Sequence, residues 1–104
     1  MKRSEIFSII LDVVCGCIEV DPSEVLNPNR KEDAVMAKSL IATYCIDYGM
    51  RVHHIQEYLH FKSHTSVRYL LDMYEQRKKV DRHYRFFANT TAHELDKTMA
   101  QYGL

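Results

Sequence analysis

The chain has 104 residues, of which 46% are hydrophobic and 27% charged, and its 14 basic and 14 acidic side chains give a formal net charge of zero. This length fits one domain and excludes a large multidomain enzyme. Because the total charge is zero, nucleic-acid binding would have to come from uneven placement of the charges. The low content of glycine and proline, 3 and 2 residues, disfavours both a disordered chain and a turn-rich all-β fold. Composition therefore predicts an all-α protein.

The cysteines and the apolar run near the start predict a reduced, cytoplasmic protein. Cys15, Cys17 and Cys45 are odd in number, and their spacing matches neither a disulfide framework nor a zinc or C-x-x-C pair. The apolar run over residues 6–18 contains an acidic residue and is followed by no small-residue cleavage site, so it predicts a helix rather than a signal peptide. No stretch reaches the roughly 20 apolar residues of a membrane span, and no membrane partner is expected.

Apolar residues at spacings of three and four predict a series of helices from the start of the chain. Ser4 is the predicted N-cap of the first helix, and Asp21 is the predicted N-cap of a short helix that ends at Leu26. A long helix is predicted from Arg30, with Gly49 as the residue that follows its C-terminus.

Two further helices are separated by only about three residues. The first covers residues 50–59, and the second begins after Ser63 as N-cap and runs toward Lys79. This spacing is typical of a helix-turn-helix. Residues 80–85 either continue the second helix or bend it, and another amphipathic stretch from about Thr91 to Tyr102 closes the chain.

Charge is distributed unevenly along the chain. Residues 1–28 have a net charge of −3, residues 29–50 a net charge of zero, and residues 51–85 a net charge of +4 together with five of the six histidines. The basic segment coincides with the predicted helix-turn-helix, as expected of a DNA-binding surface. The same basic residues also fit ordinary solvent-exposed faces and a helix C-terminus.

Two motifs carry a resemblance to a known family. The first is the short helix of residues 21–26 followed by the basic loop of residues 29–31 and a long helix. The second is a set of residues at ungapped separations: Gly49, Ile55, Lys62, Ser63, His64, Thr65, Ser66 and Val67. From about residue 10 to residue 77, the chain resembles the C-terminal DNA-binding domain of the bacterial replication initiator DnaA, whose helical architecture is similar to that of the Trp repressor.

The resemblance implies an orthogonal bundle of helices with a helix-turn-helix, and sequence-specific binding of double-stranded DNA in DNA replication or transcription control. In the family, the start of the second helix reads bases in the major groove and a basic loop residue reaches the minor groove. The matching positions here are Ser63, His64, Thr65 and Ser66, with Arg30 for the minor groove. Short polar side chains at a helix N-terminus and an arginine suit these roles. The candidates for phosphate contacts are Lys31, Lys38, Lys62 and Arg68.

The chain also departs from the family pattern. Ser63 stands where the family usually has Asp, so the DNA sequence recognised by DnaA is not transferred to this chain. His60 and Phe61 replace a Gly-Gly pair in the turn. No glycine-rich phosphate loop is present, so neither nucleotide binding nor ATP hydrolysis is expected. We expect a DnaA-like domain over residues 1–85 and a C-terminal helical extension, residues 86–104, that packs on it or on a partner.

The sequence gives less support to other functional classes. A protein-interaction or assembly module of the same fold is the main alternative, with a second copy or another protein held by the C-terminal stretch. No motif combines a nucleophile, a base and an orienting group, so no enzyme is expected. His60 and His64 lie four residues apart but form no H-E-x-x-H pattern, and neither a metal nor a cofactor is expected.

An aromatic cluster follows the basic segment and has two interpretations. Its members are Tyr84, Phe86 and Phe87, next to Arg82 and Arg85. Such residues either stack on single-stranded bases or cover a core or subunit contact, and we expect the second.

Overall fold

The structure, a computed structural model, describes residues 1–104 and consists of α-helices without strands. Helices account for 78% of the chain, and the predicted all-α class is confirmed. The six helices are α1 (Arg3–Ile18), α2 (Pro22–Leu26), α3 (Glu32–Asp47), α4 (Val52–Tyr58), α5 (His64–Val80) and α6 (Arg82–Gln101).

Helix α3 lies at the centre of the molecule. Ten of its 16 residues are buried, and small side chains such as Ala37 and Ala42 let neighbouring helices approach closely. It packs against α1, α5 and α2, while α6 packs along α1. One core of 25 buried hydrophobic residues joins all six helices, and the radius of gyration of 12.6 Å is that of one domain of this length.

Three predicted helix boundaries are confirmed. The Asp21 carboxylate accepts a hydrogen bond from the Ser23 N–H at 2.8 Å, and the Ser63 hydroxyl accepts one from the Thr65 N–H at 3.1 Å. Gly49 has φ of +89°, and the next N–H, that of Met50, donates to the Cys45 carbonyl at 2.9 Å. A left-handed residue followed by this bond is the usual helix end that glycine permits.

Two predicted boundaries are wrong. Ser4 lies inside α1, because the helix begins at Arg3 and the Lys2 carbonyl accepts hydrogen bonds from the N–H groups of Glu5 and Ile6, both at 3.1 Å. The last helix begins at Arg82 rather than near Thr91. Its N-cap is Asp81, whose carboxylate accepts from the Tyr84 N–H at 3.1 Å.

Helix α6 is continuous from Arg82 to Gln101. The expected division between a domain of residues 1–85 and an extension of residues 86–104 therefore falls inside this helix. Buried hydrogen bonds tie this helix to α3. The Tyr44 hydroxyl donates to the Ala88 carbonyl at 2.8 Å and lies 2.6 Å from Thr91 Oγ1. The Ser39 and Tyr84 hydroxyls are 2.7 Å apart. These contacts make α6 part of the core.

The three cysteines are free thiols, as predicted. Cys15 and Cys45 are buried and Cys17 is half-buried. Burial raises the pKa of Cys15 to about 11 and that of Cys45 to about 12. None of the six helices combines the length and the hydrophobicity needed to cross a membrane.

Candidate nucleic-acid interface

The connection between α4 and α5 is a tight turn with a histidine in a conformation that glycine usually adopts. His60 has φ of +61°, and the next N–H, that of Phe61, donates to the Gln56 carbonyl at 2.9 Å. His60 Nδ1 lies 2.9 Å from the Leu26 carbonyl oxygen, which ties the turn to the end of α2. The departure from Gly-Gly therefore leaves a well-defined turn between the two helices.

The predicted base-reading residues lie in the first turn of α5. His64 and Thr65 are exposed, and Ser66 is half-buried. The Ser63 oxygen accepts the capping hydrogen bond, which leaves its hydroxyl proton free to donate to another group. The positive end of the helix dipole also lies at this turn and favours an anion.

The basic loop between α2 and α3 is held in place by Lys38. The Lys38 ammonium donates to the carbonyls of Asn27 and Asn29, both at 3.3 Å, and lies 5.8 Å from the centre of the Phe61 ring. Only 6% of Lys38 is exposed, and burial lowers its pKa. This environment differs from that of the expected phosphate contact, because the Lys38 ammonium binds carbonyl groups of the chain itself.

A groove brings the loop and the start of α5 together. Arg30, Thr65 and Ser66 line the same cavity of about 530 Å³, and an adjoining cavity of about 380 Å³ adds Lys62 to Arg30 and Ser66. No acidic side chain lines either cavity. The groove is therefore locally positive although the whole chain is neutral.

The remaining predicted cations differ in how far they are neutralised. Lys31 Nζ lies 3.7 Å from the Glu24 carboxylate. Arg68 is exposed one turn beyond His64. Arg30 and Arg68, like Lys62, have no carboxylate within 4.0 Å. Three unpaired cations therefore surround the first turn of α5.

Tyr69 belongs to the groove although the sequence analysis did not select it. Its side chain is 63% exposed and lines the larger cavity beside Arg30 and Thr65. The sequence feature that could have identified Tyr69 is its position four residues after Thr65, which places both side chains on one helix face.

The histidines of α4 make only local contacts. His54 Nδ1 accepts a hydrogen bond from the Arg51 N–H at 3.1 Å, and its ring lies 4.0 Å from that of His53. Desolvation and the nearby Arg3 lower the pKa of His54. No three His, Cys, Asp or Glu side chains are grouped so that they would hold a metal ion.

Comparison of the chain with protein-family models, with curated proteins and with solved structures finds no match.

Proposed function

We propose that the chain binds double-stranded DNA in a sequence-specific manner, in replication or transcription control, in the way implied by its resemblance to the DnaA C-terminal domain. In this proposal α4 and α5 act as a helix-turn-helix, the first turn of α5 enters the major groove, and Arg30 reaches the adjacent minor groove. The observation that carries the proposal is the shared positive groove of Arg30, Lys62 and Thr65.

Each side chain at the first turn of α5 has a chemistry suited to base edges. The exposed Thr65 offers a methyl group for a thymine methyl and a hydroxyl for an acceptor, and His64 offers ring nitrogens. The Ser63 hydroxyl retains a proton to donate after it has capped the helix. These are the contacts that distinguish sequences.

The unpaired cations around the turn have a different role. Lys62 and Arg68 are exposed on either side of the base-reading turn, where they contact phosphates and set register and affinity. Lys38 contributes indirectly, because its hydrogen bonds to the loop carbonyls hold the segment that carries Arg30. We assign it a positioning role.

The test begins with selection of a preferred duplex from a random pool. Fluorescence anisotropy on the selected and on random duplexes is then measured over a range of salt concentrations. The Thr65→Val and His64→Ala variants are expected to lower specific over random binding by about 1–3 kcal/mol per good base contact. Lys62→Ala is expected to weaken all duplexes alike and to reduce the salt slope by about 0.9.

Lys2→Ala is the matched control, because it removes one exposed cation outside the groove. Equal loss on every duplex from the Thr65 and His64 variants would contradict base reading. Absence of duplex binding even at low salt would refute the proposal and favour a protein-interaction module of the same fold.

A further inference from the structure

The strongest concentration of positive charge lies at the far end of α5 from the groove. Residues 51–76 contain three basic and three acidic side chains, whereas residues 77–86 contain five basic and one acidic. The one acid, Asp81, is engaged as the N-cap of α6. No cation of residues 77–86 has a carboxylate within 4.0 Å. We call this segment, where α5 meets α6, the basic corner.

The basic corner also exposes large hydrophobic side chains. Val80 is 83% exposed and Phe86 is 63% exposed. The aromatic cluster recognised in the sequence is divided here, since Tyr84 is buried and Phe87 is half-buried, while Phe86 points outward. The Phe86 ring packs edge-on against Phe87, with 5.6 Å between centroids.

We propose that the basic corner binds single-stranded nucleic acid. The strand's phosphates pair with Lys79 and Arg82, and one of its bases stacks on Phe86. A polyanion explains the unneutralised charge, and the flat face of an unpaired base explains the exposed ring among the cations. A duplex explains the charge but leaves Phe86 without a stacking partner, because its bases are already stacked on one another.

The residues proposed to contact the single strand lie outside the duplex groove. Helix α5 rises about 1.5 Å per residue, which places Lys79 about 20 Å along the helix from Ser66. Arg77 lines a cavity together with Arg30 and Tyr69, whereas Lys79, Arg82 and Phe86 line none of the cavities of the groove. The corner goes beyond the proposed duplex binding and does not depend on it.

The chain contains no tryptophan, so Phe86→Trp places a single tryptophan at the proposed stacking position, which is excited selectively over the seven tyrosines. Oligothymidylate of about 12 nucleotides, a length within the site sizes of single-strand binders, is the probe. We expect it to quench the tryptophan emission of the Phe86→Trp variant at low salt. In the natural chain, Phe86→Ala is expected to weaken oligothymidylate binding at least about fivefold.

The charge contribution is tested with the Lys79→Ala plus Arg82→Ala variant. Single-strand binding is expected to fall, with a salt slope reduced by about 0.7 for each lost phosphate contact. Arg85 is left unchanged, because its guanidinium donates to the carbonyls of Lys78 and Lys79 at 2.9 Å and closes the end of α5.

The matched controls lose the same residue types elsewhere on the surface. Tyr102→Ala removes another exposed aromatic ring, and Lys2→Ala plus Arg3→Ala removes two exposed cations. Both are expected to bind oligothymidylate like the natural chain, and far-UV circular dichroism checks that every variant is folded. Lys62→Ala and Thr65→Val are also expected to leave single-strand binding unchanged, which separates this inference from the duplex proposal.

Three results would overturn the inference. The first is an unchanged oligothymidylate affinity of Phe86→Ala. The second is an equal loss of duplex and single-strand binding in the Lys79 and Arg82 variant, which would assign the corner to phosphates of any nucleic acid. The third is quenching of Phe86→Trp by polyglutamate but not by oligothymidylate, which would indicate an acidic protein partner.

Discussion

The hydrogen bond between the Ser39 and Tyr84 hydroxyls joins α3 to α6 inside the core, and its two ends are not equivalent. The oxygens are 2.7 Å apart, and both residues are almost fully buried. Ser39 Oγ also donates to the Met36 carbonyl at 2.7 Å, whereas the Tyr84 hydroxyl has only Ser39 as a partner. Removing one partner therefore differs from removing the other.

Ser39→Ala leaves the Tyr84 hydroxyl buried without a partner, which costs about 1–3 kcal/mol. Tyr84→Phe leaves Ser39 bonded to the Met36 carbonyl, so the cost is that of one hydrogen bond, about 0.5–1.5 kcal/mol. In the double variant no polar side chain is stranded, and alanine also suits a helix slightly better than serine. We expect the double variant to be more stable than Ser39→Ala alone.

Urea unfolding followed by far-UV circular dichroism measures these differences, because most of the chain is helical. The expected result is a coupling free energy of about 1–2 kcal/mol between the two positions, in the direction that makes the double variant less destabilised than the sum. Additive losses, or a Ser39→Ala variant as stable as the natural chain, would refute the assignment of Ser39 as the only partner of the Tyr84 hydroxyl.

Three further predictions concern Lys38 beneath the loop, the buried hydroxyl of Tyr84 with the buried thiol of Cys45, and the left-handed residue Glu19. Lys38→Met is expected to weaken duplex binding with an unchanged salt slope, whereas Lys62→Ala reduces the slope, and both slopes come from anisotropy titrations. Burial raises the pKa of Tyr84 and that of Cys45 to about 12 each. Because the folded state holds these protons more tightly, their contribution to stability in urea is expected to be constant below about pH 9 and to fall from there to about pH 12. Glu19 has φ of +63° and an exposed side chain, so Glu19→Gly is expected to raise the free energy of unfolding by about 1 kcal/mol.

Each of these predictions has a contrary result. A reduced salt slope in Lys38→Met would make that ammonium a phosphate contact. Stability that rises between about pH 9 and pH 12 would contradict the sign of the Tyr84 and Cys45 shifts. A less stable Glu19→Gly variant would mean that the glutamate side chain contributes more than its backbone conformation costs.

The helix boundaries that the sequence predicts well depend on local chemistry. Asp21 and Ser63 cap the N–H group two residues on, and Gly49 takes a left-handed conformation that other residues resist. These interactions span a few residues, so a short window of sequence contains them. Asp81 also caps its helix, through the N–H three residues on, but Arg82 and the residues after it resemble the end of a basic helix rather than the start of a new one.

The parts of the site that were not predicted depend on contacts between distant segments. Lys38 has the side chain of a surface residue, and only the fold shows that its ammonium faces the carbonyls of Asn27 and Asn29. Tyr69 belongs to no motif, and its exposure depends on how α5 packs against α3. The meeting of Arg30 with Thr65 was expected only from the family resemblance.

The packing of α6 along α1 joins the two helices that lie furthest apart in the chain. Tyr102 lines the same surface groove as Ser4 and Glu5, so the end of α6 meets the start of α1. Bringing α1 and α6 together closes a loop of almost the whole chain, at an entropy cost of about 4 kcal/mol. Contacts between residues close in sequence do not compensate this cost, so the packing between the two helices has to. Each of the two helices thus completes the hydrophobic surface that the other needs. We expect α1 and α6 to open and close as one cooperative unit rather than as two independent ends.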